Sequence, residues 1–226
     1  MNLNSSVMVR NLGLCEYRHV VESMRSWTRR RTPSTVDEIW TLQHLPVYTR
    51  GISCRDKPRQ TKKRIALIDS DRGGQITYHG PGQLVFYPLL DLRRLGLGVR
   101  DFVTLIEEAV IDFLYEHEIP GNVKEGAPGV YVSGAKVAAI GIRVQKGCTY
   151  HGFSVNVDMD LTPFGSIDPC GYADLQITQL KDVGISGGID QVWQQLIEWL
   201  TKKLCYKDVR YSAIRNTNLG NPSIHL

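Results

Sequence analysis

The sequence predicts a single α+β domain, on the evidence of its length, its composition and the order of its elements. A chain of 226 residues corresponds to one large domain or two small ones, and no linker, repeat or low-complexity tract divides it. Its 42% hydrophobic and 22% charged residues are ordinary for a globular protein and argue against disorder. Strand-like segments alternate irregularly with three helical patterns, which is typical of α+β folds.

Three segments carry apolar residues at helical spacing. In residues 15–31 the pattern ends in three arginines, which suit the C-terminal end of a helix, and Pro33 stops it. A strongly amphipathic stretch predicts a second helix over roughly 100–117. A third apolar stripe predicts the last helix near 189–204.

Five other segments have the character of strands. They cover residues 38–49, 65–68, 129–132, 137–144 and 151–159. The first contains Pro46, which predicts an edge strand or a bulge because proline cannot donate a ladder hydrogen bond. The last alternates cleanly between an apolar and a polar face.

The N-terminal residues, the cysteines and the distribution of charge indicate the compartment of the protein and the kind of partner that it binds. No window reaches 18 uninterrupted apolar residues and residues 1–10 lack a secretory signal, so we expect a cytoplasmic protein. The five cysteines are odd in number and lie far apart, which fits a reducing compartment. Residues 1–64 hold 13 Lys and Arg against 5 Asp and Glu, within a net charge of +4. This basic front half indicates either an anionic partner or a solvated surface.

The segment 72–83, RGGQITYHGPGQ, is the first candidate binding site. Five of its twelve residues are glycine or proline, and its glycines permit positive φ angles and a close approach of the backbone to a ligand. It also supplies donors and an aromatic wall through Arg72, Gln75, Thr77, Tyr78 and His79. A tight hairpin is the alternative, but a hairpin needs fewer such residues, so ligand binding is favoured.

Cysteine chemistry is the second candidate. Cys170 lies in SIDPCGY, between a proline that fixes the backbone and a glycine that leaves space beside the sulfur. A cysteine nucleophile acts as its thiolate and needs a nearby base or cation, for which Lys136, His79 and His151 are candidates. Lys136 lies between two apolar runs, and burial there would lower its pKa. The sequence alone nevertheless favours an exposed lysine in a hairpin. The other four cysteines stay open as alternatives.

Several familiar catalytic signatures are missing or incomplete. The nearest approach to a phosphate-binding loop, Gly129–Gly134, is followed by alanine rather than lysine. Neither HExxH nor CxxC occurs, so we expect no metal site. Residues 184–188 match GxSxG, but polar residues precede them and the only later histidine is His225 in the tail. We interpret them as a turn before the last helix.

Three blocks of the sequence resemble one family. They are DRGGQITYHGPGQL (71–84), APGVYVSGAKVAAIGIRV (127–144) and HGFSVNVDMDLTPFGSIDPCGY (151–172). The blocks are similar to octanoyltransferases of lipoate biosynthesis, also called lipoyl(octanoyl) transferases of the lipoate-protein ligase B type. With weaker similarity near the N-terminus, the resemblance spans most of residues 9–180. The basic loop 51–64 and the tail after about 205 match no feature of that family.

The resemblance implies both a fold and a reaction. The fold is that of biotin and lipoate protein ligases, an α+β domain over residues 1–226 with a mixed, mostly antiparallel sheet and packed helices. The reaction moves octanoyl from octanoyl-acyl carrier protein to a lysine of a lipoyl domain, as in 2-oxoacid dehydrogenases or the glycine cleavage H protein. It needs no cofactor and no metal, and neither nucleic acid nor a membrane takes part.

The resemblance also assigns roles to residues. Cys170 would carry the acyl group as a thioester, and Lys136 would activate it. The acyl group would be bound by Arg72, Gly73, Gly74, Gln75, Ile76, Thr77, Tyr78, His79, Ala139, Ile140, Gly141, Gly152, Phe153 and Ser154. Ile140, Phe153 and Tyr78 would be walls for the chain, at about 0.8 kcal/mol per buried CH₂.

The chemistry separates this interpretation from two alternatives. Thioester exchange is close to isoenergetic and thioester-to-amide transfer is downhill, so no ATP is required, which agrees with the missing phosphate loop. An ATP-dependent lipoate or biotin ligase would need no cysteine. A nucleic-acid-binding module should interleave aromatic with basic residues, and residues 50–64 contain no aromatic. The acidic acyl carrier protein is a natural partner for the basic front half instead.

Overall fold

A computed structural model of the protein describes residues 5–54, 65–167 and 175–213. Its strands are β1 (Ser6–Cys15), β2 (Asp37–His44), β3 (Val47–Arg50), β4 (Ala66–Asp69), β5 (Ile76–His79), β6 (Gln83–Leu89), β7 (Gly129–Val132), β8 (Ala135–Gln145), β9 (Cys148–Asn156) and β10 (Asp208–Ala213). Its α-helices are α1 (Tyr17–Arg30), α2 (Leu92–Leu95), α3 (Val99–Glu116) and α4 (Ile189–Lys203). None of the helices in these ranges has both the length and the apolar character needed to cross a membrane.

Most of these strands form one seven-stranded sheet, in the order β10-β1-β2-β6-β9-β8-β7. In it β1 runs parallel to both neighbours, and the other pairs are antiparallel. A smaller sheet has the order β4-β3-β5, with one parallel and one antiparallel pair. The predicted α+β class with a mixed, mostly antiparallel sheet is therefore confirmed.

Helices cover both faces of the large sheet. On one face α3 and α4 pack around Phe86, together with Phe102 and Leu196. On the other face Met24 of α1 packs in the cluster that contains Val85, the neighbour of Phe86 on β6. Because both faces of the sheet are covered, every residue of β9 is buried. The alternation of apolar and polar residues along β9 therefore separates two buried faces, not a buried face from a solvent-exposed one.

The segment 38–49 differs from its prediction. It forms two strands, β2 and β3, with Pro46 in the connection between them, and β2 lies inside the large sheet between β1 and β6. The prediction of a single edge or bulged strand is wrong because the proline falls between two strands and so removes no ladder hydrogen bond.

Four strands, β1, β5, β6 and β10, escaped the sequence patterns. β1 pairs in parallel with β10, which lies in the tail after residue 205. The register of β1 shifts between Asn11 and Leu14, around Gly13 at φ +67°, and this irregularity interrupts its alternation. The three predicted helices and the other predicted strands are confirmed to within a few residues.

A buried ion cluster fastens the C-terminal end of α1 to the large sheet. The carboxylate of Asp37 at the start of β2 accepts hydrogen bonds from Arg31 and Arg94, each at 2.5 Å, and from the hydroxyl of Tyr206 at 2.7 Å. Removing one partner from such a buried cluster typically costs about 3–5 kcal/mol. The cluster thereby fixes α1, whose first turn borders the site described next.

Candidate active site

A cleft between the two sheets encloses about 770 Å³ of empty space, part of it open to solvent. β6, β8 and β9 form its floor, and β5 with the residues before it forms its roof. The lining is largely apolar, with a few polar groups at defined places.

The floor consists of small residues that face one another on two strands. Ala139 of β8 pairs with Ser154 of β9, and Gly141 pairs with Gly152. A side chain on Gly152 would collide with the carbonyl oxygen of Phe86 on β6, so only glycine fits there. These residues leave room for an elongated apolar ligand lying along the strands.

The glycine-rich segment is not a hairpin. β5 pairs with β3 in the small sheet, whereas β6 pairs with β2 and β9 in the large one. Residues 80–82 therefore carry the chain from one sheet to the other. The segment roofs the cleft. The alternative that its glycines serve a tight hairpin is therefore wrong, and ligand binding stays a prediction.

The buried guanidinium of Arg72 holds this roof in place. Its Nε donates to the Thr49 hydroxyl at 3.0 Å, and its Nη1 donates to the carbonyl of Gly73 at 2.9 Å. Its Nη2 donates to the carbonyls of Thr49 and Gln75, each at 2.7 Å. The N–H of Gly73 in turn donates to the carbonyl of Ile142 on β8 at 3.1 Å. Arg72 thus joins β3 to the segment above the floor.

Lys136 lies buried at one end of the cleft. The residue is 3% exposed, its Nζ donates to the carbonyl of Pro128 at 3.0 Å, and it lies 5.1 Å from the ring centre of Tyr131. The interpretation of Lys136 as an exposed hairpin lysine is therefore wrong. It stands on β8, with β7 on one side and residues 176–178 also paired to its backbone.

The chain that follows Cys170 returns to Lys136. Cys170 itself lies outside the described residues, which resume at Leu175. The N–H of Lys136 donates to the carbonyl of Gln176 at 2.8 Å, and the N–H of Thr178 donates to the carbonyl of Lys136 at 3.0 Å. Backbone pairing therefore joins Lys136 to a residue only six positions after Cys170 in the sequence.

Two buried amides continue this pairing into the cleft. Nδ2 of Asn156 donates to the carbonyl of Thr178 at 2.8 Å, and its Oδ1 accepts from Nε2 of Gln83 at 2.9 Å. Oε1 of Gln83 lies 2.7 Å from Nδ1 of His79. Buried networks of this kind, when satisfied, fix one geometry of the groups that they connect.

Two buried histidines, His44 and His79, lie beside Tyr17, and His79 lines the cleft. His44 lies 3.1 Å through Nδ1 from the carbonyl of Cys15 and 2.8 Å through Nε2 from the hydroxyl of Tyr87. Burial lowers the pKa of His44 to about 4 and that of His79 to about 3. Both rings are therefore neutral at physiological pH.

His151 is held by Asp71, the residue before Arg72. Oδ1 of Asp71 lies 2.8 Å from Nε2 of His151 and 2.8 Å from the guanidinium of Arg25 on α1. Its Oδ2 accepts from the hydroxyl of Tyr150 at 2.6 Å. Burial alone would raise the pKa of Asp71, but these hydrogen bonds outweigh it and hold that pKa well below its ordinary value.

The structure brings most of the expected site residues together. Those that line the cleft are Arg72, Gly74, Gln75, Ile76, Thr77, His79, Lys136, Ala139, Ile140, Gly141, Gly152, Phe153 and Ser154. Gly73 and Tyr78 are outside this lining. The ring of Tyr78 instead packs against Tyr48 and Phe164, with centroids 5.6 Å apart in each case.

Other lining residues were missed by the sequence analysis. They are Tyr17, Gln83, Val85, Tyr87, Ala138, Asn156, Phe164 and Ile177. Asn156 offered a signal, since it is an amide on the polar face of an alternating strand, but that pattern also suits a surface residue. In the described parts of the chain, no three His, Cys, Asp or Glu side chains come together in a way that could hold a metal ion.

The fold is shared with lipoate and biotin protein ligases. A lipoate-protein ligase A bound with ATP aligns with a TM-score of 0.75 at 15% identity, over 94% of this chain and 90% of its own. A biotin protein ligase from Aquifex aeolicus in complex with biotin and ATP aligns with a TM-score of 0.53 at 16% identity, over 87% of this chain and 69% of its own.

Sequence similarity is more specific than the fold. The family model for the lipoyl protein ligase A/B catalytic domain matches residues 17–201. An octanoyltransferase of Xanthomonas campestris pv. campestris (strain 8004) is 51% identical over 195 residues, which cover 86% of this chain and 84% of that protein. The chain belongs to the lipoyl protein ligase A/B family and, within it, to the octanoyltransferases. It is therefore an acyltransferase.

The buried histidines predict a loss of stability in mild acid. The folded-state pKa values of His44 and His79 lie below the ordinary 6.5, so the unfolded chain binds more protons as the pH falls. Their contribution is complete above about pH 6.5, and each histidine should remove up to about 1.4 kcal/mol per pH unit below it. Urea unfolding between pH 7 and 5 measures this slope.

Two variants separate these histidines from other causes of acid sensitivity. His44→Phe should flatten the slope of the free energy of unfolding between pH 6.5 and 5, even if it lowers the value at pH 7. His19→Asn removes a histidine whose side chain is 58% exposed and should leave the slope unchanged. Equal slopes in wild type and His44→Phe would show that His44 is not a source of the effect.

Proposed function

We propose that this acyltransferase moves octanoyl from octanoyl-acyl carrier protein to a lysine of a lipoyl domain, in 2-oxoacid dehydrogenases or in the glycine cleavage H protein. The carrying observation is the buried amino group of Lys136 at the end of an apolar cleft, on a residue whose backbone pairs with the chain after Cys170. Residues 1–226 act as one catalytic domain. The four described cysteines are free thiols, which suits the cytoplasm as the place of reaction.

In the first half of the reaction Cys170 takes the acyl group. Lys136 as the amine accepts the thiol proton, and the thiolate adds to the carbonyl carbon of the donor thioester. The bond from that carbon to the carrier sulfur breaks, and the ammonium of Lys136 returns the proton to the departing thiolate. The products are octanoyl-Cys170 and the free carrier thiol.

In the second half the acceptor lysine attacks as a neutral amine. Its nitrogen adds to the carbonyl carbon of octanoyl-Cys170, and the carbon–sulfur bond breaks. The surplus proton on nitrogen passes to Lys136 and then to the Cys170 thiolate, so the enzyme returns to its starting state. An amide replaces a thioester, which makes the step downhill without ATP.

The surroundings of Lys136 suit this role. A cation in a site that water does not reach interacts with a thiolate far more strongly than one on the surface. The carbonyl of Pro128 and the face of Tyr131 hold the nitrogen of Lys136 in one place, so the group is in position before the donor arrives. Lys136 is therefore positioned both to stabilise the thiolate and to carry its proton.

The cleft provides the site for the acyl chain. The chain lies over the floor of Ala139 and Ser154, below Ile76. The expectation that Ile140 and Phe153 are walls for the chain is wrong, because the Phe153 ring stacks on Phe86 at 4.6 Å and both residues pack with the core under α3 and α4. Each buried CH₂ contributes about 0.8 kcal/mol, so the cleft can hold a saturated chain without polar contacts.

Charge favours an acidic carrier protein as the donor. Residues 1–64 hold 13 Lys and Arg against 5 Asp and Glu. A strongly basic segment steers an acidic partner toward the protein that carries it. The second candidate function is that of an ATP-dependent ligase, and only the shared fold supports it. The reaction of such a ligase would not use Cys170.

Covalent acylation tests the thioester. Octanoyl-acyl carrier protein should add one octanoyl group to the enzyme without ATP, because thioester exchange is nearly isoenergetic. Cys170→Ser and Cys170→Ala should abolish this addition, whereas Cys54→Ser should retain it. Intact-mass spectrometry measures the adduct. Transfer that depends on ATP and is unchanged in Cys170→Ala would establish the ligase instead.

Thiol reactivity tests Lys136. Lys136→Met keeps the apolar stem and removes the charge, so alkylation of Cys170 by iodoacetamide should slow tenfold or more near neutral pH, since one pKa unit is about 1.4 kcal/mol. Higher pH should partly restore the rate as the unassisted thiol ionises near its reference pKa of about 8.5. Lys146→Ala, in the exposed turn after β8, is the control. Superimposable pH profiles for wild type and Lys136→Met would remove Lys136 from this role.

A further inference from the structure

A single peptide group lies between the side chains of Lys136 and Glu107. Its carbonyl, that of Pro128, accepts a hydrogen bond from Nζ of Lys136 at 3.0 Å. Its N–H, that of Gly129, donates to Oε1 of Glu107 on α3 at 2.9 Å. Because the peptide unit is planar and trans, its C=O and N–H point in opposite directions, and Lys136 and Glu107 lie on opposite sides of it.

Glu107 differs from two acidic residues near it on α3. The carboxylates of Glu108 and Asp112 pair with Nζ of Lys203 on α4, at 3.2 and 2.9 Å. Glu107 is half-buried and, within the described ranges of the chain, forms no such ion pair. Its carboxylate therefore connects α3 to the start of β7 rather than to α4.

The start of β7 lies close against Lys136. The φ angle of Gly129 is +135°, and a side chain there would collide with the carbonyl oxygen of Ala138 and lie 3.3 Å from Cε of Lys136, so only glycine fits. The hydroxyl of Tyr131 donates to the carbonyl of Ala127 at 2.8 Å, while its ring faces Nζ of Lys136. These contacts bring the loop that begins β7 directly against the lysine side chain.

The two hydrogen bonds of this peptide strengthen each other. A carboxylate that accepts from the N–H of a peptide polarises it, so the carbonyl oxygen becomes a better acceptor. The bond to Glu107 also keeps the peptide from turning, which leaves the Pro128 carbonyl directed at the nitrogen of Lys136. Without that bond the buried N–H of Gly129 would lack its acceptor, a cost that the loop could relieve only by moving.

We propose that Glu107 is a positioning residue for acyl transfer, which holds the nitrogen of Lys136 in place through the Pro128–Gly129 peptide. Glu107 is outside the lining of the cleft, so it acts through this peptide and not on the acyl group. The inference rests on the proposed function, in which Lys136 exchanges protons with Cys170, and extends it to a residue on α3.

Two conservative variants separate the reach of Glu107 from its charge. Glu107→Gln keeps an oxygen at the same reach and loses the charge, so kcat for octanoyl transfer should stay within about threefold of wild type. Glu107→Asp keeps the charge but is one methylene too short for Gly129. Its kcat should fall about tenfold or more, because misplacing a reacting group by about 1 Å can cost about 10²-fold.

The Michaelis constant and a neighbouring residue provide the controls. KM for the carrier-protein donor should change by less than about threefold in both variants, because Glu107 does not line the cleft. Glu108→Gln makes the same substitution at the next position of α3, where the carboxylate pairs with Lys203, and should leave kcat unchanged.

Alkylation of Cys170 shows whether Glu107 acts through Lys136. At neutral pH, Glu107→Asp should slow alkylation by iodoacetamide about fivefold when Lys136 is present, since a displaced lysine no longer activates the thiol. In the Lys136→Met background the same change should slow it by less than about 1.5-fold, because the effects of residues that act through each other do not add. A merely structural effect would change the rate by the same factor in both backgrounds.

The outcomes separate this inference from the proposed function. Equal factors in both backgrounds, or wild-type kcat in Glu107→Asp, would overturn the role of Glu107 and leave acyl transfer standing. A Glu107→Gln enzyme as slow as Glu107→Asp would do the same, because the bond to Gly129 would then not be the cause. An unchanged alkylation rate in Lys136→Met would remove Lys136 and Glu107 from their roles together.

Two further results complete the test. Failure of octanoyl transfer in the wild-type enzyme would overturn the proposed function itself. If Glu107→Asp does not fold, Glu107→Met replaces it in every comparison, since the methionine fills the same space without an oxygen. The same factors are then expected, and equal factors in both backgrounds again overturn the role of Glu107.

Discussion

The cleft exists because one buried guanidinium holds its roof above its floor. Arg72 directs its nitrogens to the carbonyls of Thr49, Gly73 and Gln75 and to the Thr49 hydroxyl. Burying a guanidinium costs free energy unless its N–H donors have acceptors, so the loss of any of these bonds would leave a buried donor unsatisfied. They tie the small sheet to the segment that docks on β8 through Gly73. Because these bonds fix the roof segment above β8, a space remains between the two sheets.

Within that space, polar groups are confined to defined places. Lys136 and the amides of Asn156 and Gln83 lie at the proposed reacting end, where the chain after Cys170 joins β8. Asp71 and His151 mark the remote end. Between them the small floor residues and apolar walls provide a passage for a chain. The arrangement suits a substrate that is reactive at one end and apolar along its length.

Local patterns predicted the elements that depend on local sequence. The amphipathic helices were found because their period is set by the helix itself, and α3 is the clearest case. Partnership between strands is a long-range property, which is why the parallel pair of β1 and β10 carried no signal. Pro46 was misplaced for the same reason, since the sequence does not reveal that β2 and β3 belong to different sheets. Burial of Lys136 likewise depends on residues 176–178.

Some features of the candidate site were predicted from residue patterns alone, and others only from the family resemblance. The composition of residues 72–83 pointed to ligand binding without any alignment, but the roles of Cys170 and Lys136 came from the family resemblance. Arg72 was expected to bind the acyl group, and its guanidinium is instead committed to the roof. Asn156 and Gln83 were missed because a buried amide and a surface amide look alike in a strand. Only the fold distinguishes them.

The central claim is that the acyl group passes through Cys170 on its way to the acceptor lysine. The most direct measurement isolates the octanoylated enzyme from its donor and mixes it with a lipoyl domain, without nucleotide, while mass spectrometry follows both proteins. The account predicts that octanoyl lost from Cys170 appears one for one on the acceptor lysine, at a rate no slower than complete turnover. Acyl-enzyme that persists while the complete system turns over would contradict it.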